Sequence, residues 1–430
     1  MNASKENVFD LAVIGTGMAG TAAALFASNR GLTTAQVGET GEIIFASGYM
    51  DLLGIHPPEN GRILDDPWVG LARLAQDEPD HPLARLAPET IRTALDEFFD
   101  FLETAGLPYC RDEHKNALAL TPLGTTKPTY GVPETMWAGV AALQAKQPCL
   151  LIDIRGLRGF SARQIAAVWD TRWPKLRTVT LDFPDSEQVS ELYTETMARQ
   201  LERSQNLEAL AARIKPHLKD TAVVGLPAIL GVRNSTTVAA ALAEHLAVPV
   251  FEIPTMPPGV PGLRLRDAFA ESIAQRGVCL YREKRVRSVC PETDAGFMLT
   301  IADHVGEEKI QARRVLLAGG RFLGKGLQAD QAGIREPLLD LPVYQPRSRQ
   351  EWHRRYFLDP RGHAVNRAGL ETDQHLRPLG EKGVPAFKNL YAAGSILAHQ
   401  DWMRRKCGSG LAIATAYAAV AAITASETAS

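Results

Sequence analysis

Gly15, Gly17 and Gly20 are the residues from which chemistry can first be argued. They lie in Val13-Ile14-Gly15-Thr16-Gly17-Met18-Ala19-Gly20, where an apolar run ends and an alanine-rich run begins. Between a strand and a helix, the first glycine of such a triplet permits the tight turn. The second lets a phosphate or pyrophosphate approach the backbone, and the third lets the helix pack close to the strand. The free N–H groups of the first helical turn, here Met18 and Ala19, then hold the anion at the positive end of the helix. Standing alone, the triplet is equally a turn that packs two elements together, so its flanks decide.

Those flanks are right for a βαβ opening. Residues 8–14 have the composition of a short buried strand, 21–28 that of an alanine-rich helix stopping near Asn29-Arg30-Gly31, and 33–37 that of a second strand. Further on, 149–154, 221–226 and 248–253 read as buried strands between helical stretches at 161–169 and 235–246, with turn-rich segments at 56–60 and 121–133. Residues 254–261 carry four prolines and a glycine and mark an expected domain border. Beyond them come a helix at 265–275 and strands at 278–281, 286–289, 297–301, 310–312 and 315–318, the last ending at Gly319-Gly320. A final strand at 389–393 runs into Gly394, followed by a helix from Gly410. The expected fold is a doubly wound, Rossmann-like α/β domain formed by 1–56, 256–330 and 386–430. An inserted α/β domain is expected at 57–255 and a smaller excursion at 331–385.

Composition excludes several classes. The chain has 430 residues, 45% hydrophobic and 22% charged, which suits a packed core over two or three units. A formal net charge of −2 gives no electrostatic case for nucleic acid. Cys110, Cys149, Cys279, Cys290 and Cys407 show no C-x-x-C spacing, so no zinc ribbon or iron-sulfur cluster assembles locally, and reduced thiols of a cytoplasmic protein are expected. Residues 11–14 are too short for a signal-peptide core. The apolar stretch 411–425 is about fifteen residues, below the roughly 20 that span a bilayer, and reads as a buried helix. No basic amphipathic segment is found.

Two further phrases point to a flavin. Val315-Leu316-Leu317-Ala318-Gly319-Gly320 resembles the segment at which FAD-dependent oxidoreductases return to their dinucleotide fold. Asn389-Leu390-Tyr391-Ala392-Ala393-Gly394, then Cys407-Gly408-Ser409-Gly410-Leu411 and an alanine-rich helix, resembles their C-terminal flavin motif. In that motif the strand end, at Gly394 and Ser395, brings backbone to the ribityl chain, and the helix start at Gly410 and Leu411 stabilises negative charge on the reduced ring. Two positions depart from it. Flavoproteins that bind FAD commonly carry a glutamate where Gly38 stands; Glu39 is one step late, and one step along a strand reverses the face. Ser395 replaces an acid that binds a ribityl hydroxyl in many relatives. The missing acid favours FMN, which lacks the adenosine half, with FAD as the alternative.

The phrases between these motifs carry a closer resemblance. Phe45-Ala46-Ser47-Gly48-Tyr49-Met50-Asp51-Leu52-Leu53, Thr121-Pro122-Leu123-Gly124-Thr125, Gly262-Leu263-Arg264-Leu265, Gly333-Ile334-Arg335-Glu336-Pro337 and Thr372-Asp373-Gln374-His375-Leu376-Arg377-Pro378 resemble the B subunit of anaerobic glycerol-3-phosphate dehydrogenase, over about 8–425. The resemblance implies noncovalent FMN, with a catalytic A subunit that holds FAD and an iron-sulfur C subunit as partners. It also implies oxidation of glycerol 3-phosphate to dihydroxyacetone phosphate with electrons passed to quinone. The implied location is cytoplasmic, at the inner face of the cell membrane through a partner subunit.

Candidate site residues follow. Ser47 and Gly48 lie where the chain leaving the second strand passes the flavin in related folds. Arg264, Arg266, Arg335 and Arg377 are in loop or loop-to-helix contexts suited to a substrate phosphate, although for any one of them a surface position or a partner such as Asp267, Glu336 or Asp373 is the commoner explanation. His399 is a candidate general base or a structural histidine. Tyr391 and Trp402 read as packing groups. Three functions stay open: a flavin-containing component of an enzyme complex, a non-catalytic scaffold on the same fold, and a stand-alone FAD enzyme with another substrate.

Overall fold

The computed structural model describes residues 8–39, 42–186, 191–292 and 296–428. The chain forms two compact units, one comprising 1–43, 51–98 and 269–430, the other 44–50 and 99–268.

The first unit is built on strand β1 (Val8–Ile14), helix α1 (Met18–Asn29) and strand β2 (Thr34–Gly38). Strand β1 pairs in parallel with β2, Leu11 opposite Thr34 and Ile14 opposite Val37. On its other side it pairs in parallel with the strand Glu307–Leu317, Ile14 opposite Leu317. Leu11, Ala12 and Val13 are wholly buried, which is why β1 is a continuous apolar run and does not alternate. The strand Glu307–Leu317 is single where two were expected. Its first half pairs antiparallel with Gly296–Ala302, and its second half continues in parallel beside β1 and the strand Leu390–Ala392. Cys279–Arg282 extends the sheet beyond β2, and Arg285–Glu292 closes the opposite edge.

Alanines from Ala19 to Ala27 are buried along α1, and their small side chains let it lie against the C-terminal helix Gly408–Thr428. Phe26 and Tyr417 meet edge to face with centroids 5.1 Å apart. That helix is longer than the sequence suggested. By length and composition it could cross a membrane, yet Ile413, Ala416, Ala419, Val420 and Ile423 are buried within the unit.

The second unit contains a four-stranded parallel sheet in the order Val250–Ile253, Val223–Pro227, Cys149–Ile154, Leu176–Leu181. Taken in chain order the strands run 4-3-1-2, a doubly wound arrangement whose order reverses beside Cys149–Ile154. Leu151, Ile152, Trp173, Phe183, Leu226 and Phe251 belong to its core.

The unit boundaries differ from those expected. Residues 57–98 belong to the first unit, where helix Pro67–Asp77 and the first part of helix Pro88–Thr104 bury Leu71, Leu74, Ile91 and Leu95. Residues 331–385 belong there too, while 44–50 and 256–268 fall in the second. The proline-rich segment is not the border because Pro261 starts no break. It occupies the second position of helix Val260–Gln275, where no backbone N–H is required.

Candidate functional site

The glycine turn closes the first unit's sheet at the end of β1. Gly15 has φ +130°, and a Cβ there would sit 2.3 Å from the Ala318 carbonyl oxygen; one on Gly20 would sit 2.1 Å from the Gly15 oxygen. These two glycines are required by packing. Gly17 is different. It is the N-cap of α1 with φ −77°, no side chain caps it, and no acid stands in the first turn. Among the described residues, a Cβ on Gly17 would meet nothing within 4 Å. Neither backbone conformation nor protein packing demands a glycine here, so what its small size preserves is open space over uncapped N–H groups, the setting a phosphate fits.

Gly394 adjoins this helix start. With φ +80° it ends the strand Leu390–Ala392, a Cβ on it would lie 2.5 Å from that of Ala19, and its N–H donates to Thr415 Oγ1 at 2.9 Å. Ser395 is half-buried, and the loop after it is held by wholly buried Gln400, whose Nε2 donates to the Ser395 and Leu397 carbonyls at 2.9 and 3.1 Å. Gly319 begins a closed turn in which Gly326 faces the Gly320 oxygen. The expected role of Gly410 and Leu411 needs correction. Gly410 N–H donates to the Asp51 carbonyl at 2.6 Å and Leu411 N–H to that of Cys407, so these donors serve the fold. The contact also explains the glycine, since a Cβ on Gly410 would come 2.8 Å from Leu52 Cα.

At the end of β2, a side chain on Gly38 would run into Thr16, with 2.7 Å to Cγ2 and 2.9 Å to Oγ1. Thr16 donates its hydroxyl to the Glu39 carbonyl. The Glu39 carboxylate accepts from Lys325 Nζ at 3.0 Å, and that bond holds its carboxyl below the ordinary range. Thr16 thus fills the position at which the ribose-binding acid is usual, and the acid one step later is paired elsewhere.

The loop beyond Ser395 leads to a polar cluster. His399, at φ +64°, places Nε2 2.8 Å from Glu371 Oε1, and its ring centroid lies 4.1 Å from that of Tyr344. It lines a cavity of about 280 Å³ with Asp80, Arg85, Glu371, Thr372 and Leu397. Arg405, 1% exposed, donates to His56 Nδ1 at 2.6 Å and pairs with Glu78, whose other oxygen is 2.7 Å from Arg367. His81 is fully buried, its Nδ1 accepts from Leu83 N–H at 3.2 Å, and its Nε2 has no partner among the described residues. Burial first, then the charges of Arg405 and Arg367, holds the His81 pKa well below the ordinary imidazole value, so the ring is neutral. Sequence reasoning missed His56, Glu78, His81 and Arg405. The one usable signal was the basic run Arg404-Arg405-Lys406 just before the glycines of the last motif.

The remaining candidates lie elsewhere. Arg264 is not a substrate-phosphate ligand: in helix Val260–Gln275 it is 5% exposed, and its donors are occupied by Glu252, at 2.6 and 2.8 Å, and by the Leu230 and Gly231 carbonyls. Arg266 pairs with Asp267 at 2.7 Å. Arg335 is exposed and donates to Gln328 at 3.2 Å, and Arg377 is held by Asp373 at 2.6 Å; neither lines the cavity. Ser47 and Gly48 fall in the second unit, where a Cβ on Gly48 would meet Pro261 and Pro133 and its carbonyl accepts from the Tyr109 hydroxyl. Tyr391 is buried in its strand, and the Trp402 ring lies 3.0 Å from where a Gly408 Cβ would be; both are packing groups.

A family model described as an FAD binding domain matches residues 10–411. The probable B subunit of anaerobic glycerol-3-phosphate dehydrogenase from Halobacterium salinarum is 33% identical over 429 residues, covering 95% of this chain and 96% of the relative. The corresponding B subunit from Vibrio vulnificus is 29% identical over 424 residues, covering 96% and 95%. A crystal structure of 3-ketosteroid delta1-dehydrogenase from Sterolibacterium denitrificans aligns over 98% of this chain and 100% of that one, at 12% identity and a TM-score of 0.46. With the glycine turn and its neighbouring strand end in place, the chain belongs to the FAD-binding-domain family of flavoproteins and, within it, to the B-subunit family of anaerobic glycerol-3-phosphate dehydrogenase.

Proposed function

We propose that this chain is the flavin-containing B subunit of a complex that oxidises glycerol 3-phosphate to dihydroxyacetone phosphate. The two electrons and two protons released pass to a quinone, giving quinol. The observation that carries the reading is the uncapped start of α1 at Gly17, unfilled by protein and adjoined by Gly394. A bound flavin supplies two-electron acceptance there. Gly17, Met18 and Ala19 hold its phosphate through backbone N–H groups, and Gly394 keeps side-chain atoms away from the helix start. His399, held by Glu371 at 2.8 Å, is the candidate to take the hydroxyl proton of a substrate in the cavity that it lines. Arg85 on the same cavity wall supplies positive charge for the substrate phosphate.

The flavin proposed is FMN, supported by Thr16 filling the Gly38 position and by the Glu39–Lys325 pair. FAD is the alternative, favoured by the family model. Partners proposed are a catalytic A subunit that holds FAD and an iron-sulfur C subunit, with the complex at the inner face of the cell membrane. Cys149 and Cys407 are buried in different units and burial pushes both thiols up, Cys407 to about 12, which makes neither a ready cluster ligand.

Denaturing the freshly purified complex and chromatographing the cofactor released from this chain tests the reading. One FMN per chain is expected, bleached by glycerol 3-phosphate. Stoichiometric FAD overturns FMN alone, and turnover of quinone by the isolated chain would restore the stand-alone enzyme. Absence of any flavin would leave a scaffold, the reading that the departures at Gly38 and Ser395 motivate.

A further inference from the structure

The segment 347–361 of the first unit has an unusual composition. It holds five arginines, at 347, 349, 354, 355 and 361, against Glu351 and Asp359, an excess of three positive charges in a chain whose formal net charge is −2. At its tip Tyr356, Phe357 and Leu358 are 65%, 85% and 75% exposed. Single exposed apolar residues are ordinary, but three in succession at such exposure are not.

The tip is a built turn. Trp352, 7% exposed, anchors the approach. His363 accepts the Arg354 N–H at Nδ1 and donates from Nε2 to the Phe357 carbonyl, both at 3.0 Å. Arg354 Nε donates to the Gly362 carbonyl at 3.2 Å, Arg404 Nη2 reaches the Phe357 carbonyl at 3.4 Å, and Asp359 N–H bonds to the Tyr356 carbonyl at 3.1 Å. Asp359 is turned inward onto Arg361, at 2.9 and 2.7 Å, so its charge is matched and does not oppose the neighbouring arginines. These bonds satisfy backbone groups within the turn, and its three apolar side chains are held outward with little left to order on binding.

We infer that Tyr356, Phe357 and Leu358 insert into the headgroup region of an anionic phospholipid surface, with Arg347, Arg349, Arg354 and Arg355 on its phosphates. The charge excess matches a negative lipid surface, and an aromatic-aliphatic tip in an arginine-rich segment divides between acyl and headgroup layers as interfacial side chains do. The segment is a turn, which is why a search for helical amphipathicity passes over it. This inference does not rest on the proposed reaction or on any partner of the chain.

The test is sedimentation of the full chain with phosphatidylcholine vesicles, alone or mixed with phosphatidylglycerol. Binding is expected to the mixed vesicles, weakened by about 0.5 M salt. Combined Tyr356→Ser, Phe357→Ser and Leu358→Ser substitution, and separately Arg347→Gln with Arg355→Gln, should each lower vesicle affinity about tenfold or more while melting temperature and flavin content stay unchanged. Val305→Ser, at an 82% exposed position in the same unit, should bind as wild type. A wild-type chain that stays in the supernatant, or variants that pellet equally well, would overturn the proposal. Unchanged vesicle binding with lost copurification of the partner proteins would assign the turn to a protein interface instead.

Discussion

The chain contains two doubly wound α/β units, and the helix that follows the first sheet strand starts differently in each. In the first, α1 begins at a glycine with no side-chain cap, no acid in the first turn and free space above it. In the second, the protein's own groups occupy the corresponding place at the helix that follows the first sheet strand, and carboxylates lie close to two other helix starts. Glu202 accepts Val232 and Arg233 N–H, both at 2.8 Å, ahead of helix Ser235–Leu246. Asp153 accepts Ala162 N–H at 3.1 Å at the start of helix Ala162–Trp169, where Ser161 also caps. Glu252 accepts from Thr135 Oγ1 in the first turn of helix Glu134–Ala145, besides holding Arg264. Strand order therefore does not make a phosphate site. What makes one is a helix start whose donors the protein leaves unoccupied.

Gly17→Val gives the largest expected effect on this contrast. A Cβ there meets no described protein atom within 4 Å and the backbone is unstrained, so the variant should fold with the melting temperature of flavin-free wild type and carry no flavin. Full flavin occupancy in the folded variant would place the first unit with the second as a purely structural fold. Next comes Arg264→Met, which leaves the Glu252 carboxylate buried without its cation and should cost about 3–5 kcal/mol in a urea titration. Flavin per folded molecule should not change; a folded but flavin-depleted variant would mean that the second unit bears on the cradle. Smallest is Glu202→Gln, expected at about 1 kcal/mol, because the amide oxygen still accepts from the same backbone while the charge at the helix start is lost. No measurable change in denaturation midpoint would show that the carboxylate does not steady the chain ahead of that helix.

Legibility in the sequence tracked the distance over which a feature is assembled. Strand β1, the glycine turn and α1 are written in consecutive residues, and each local preference agrees with the fold, so the expected opening matches the structure closely. Gly410 was found for a motif reason and turned out to serve packing on Leu52, because a glycine states that space is tight without naming what is close. Arg264 reads as an anion ligand or as the partner of a near neighbour, since nothing in its neighbours reveals that the Leu230 and Gly231 carbonyls converge on it. The His56, Glu78, His81, Arg405 cluster comes from separate stretches with no shared spacing, which no periodicity can disclose. Residues 57–98 fold into helices with one buried face, and an apolar face in a sequence does not say which core receives it.

The threading of the sheet also sets an order in time. Val8 finds its partner at Gln311, and the strand Leu390–Ala392 completes the same neighbourhood only near the end of the chain. The parallel strands of the second unit all lie between Cys149 and Ile253, a span that leaves the ribosome much earlier. During synthesis the second unit can therefore close its core while β1, the glycine turn and α1 still wait, with an apolar strand and an unfilled helix start exposed.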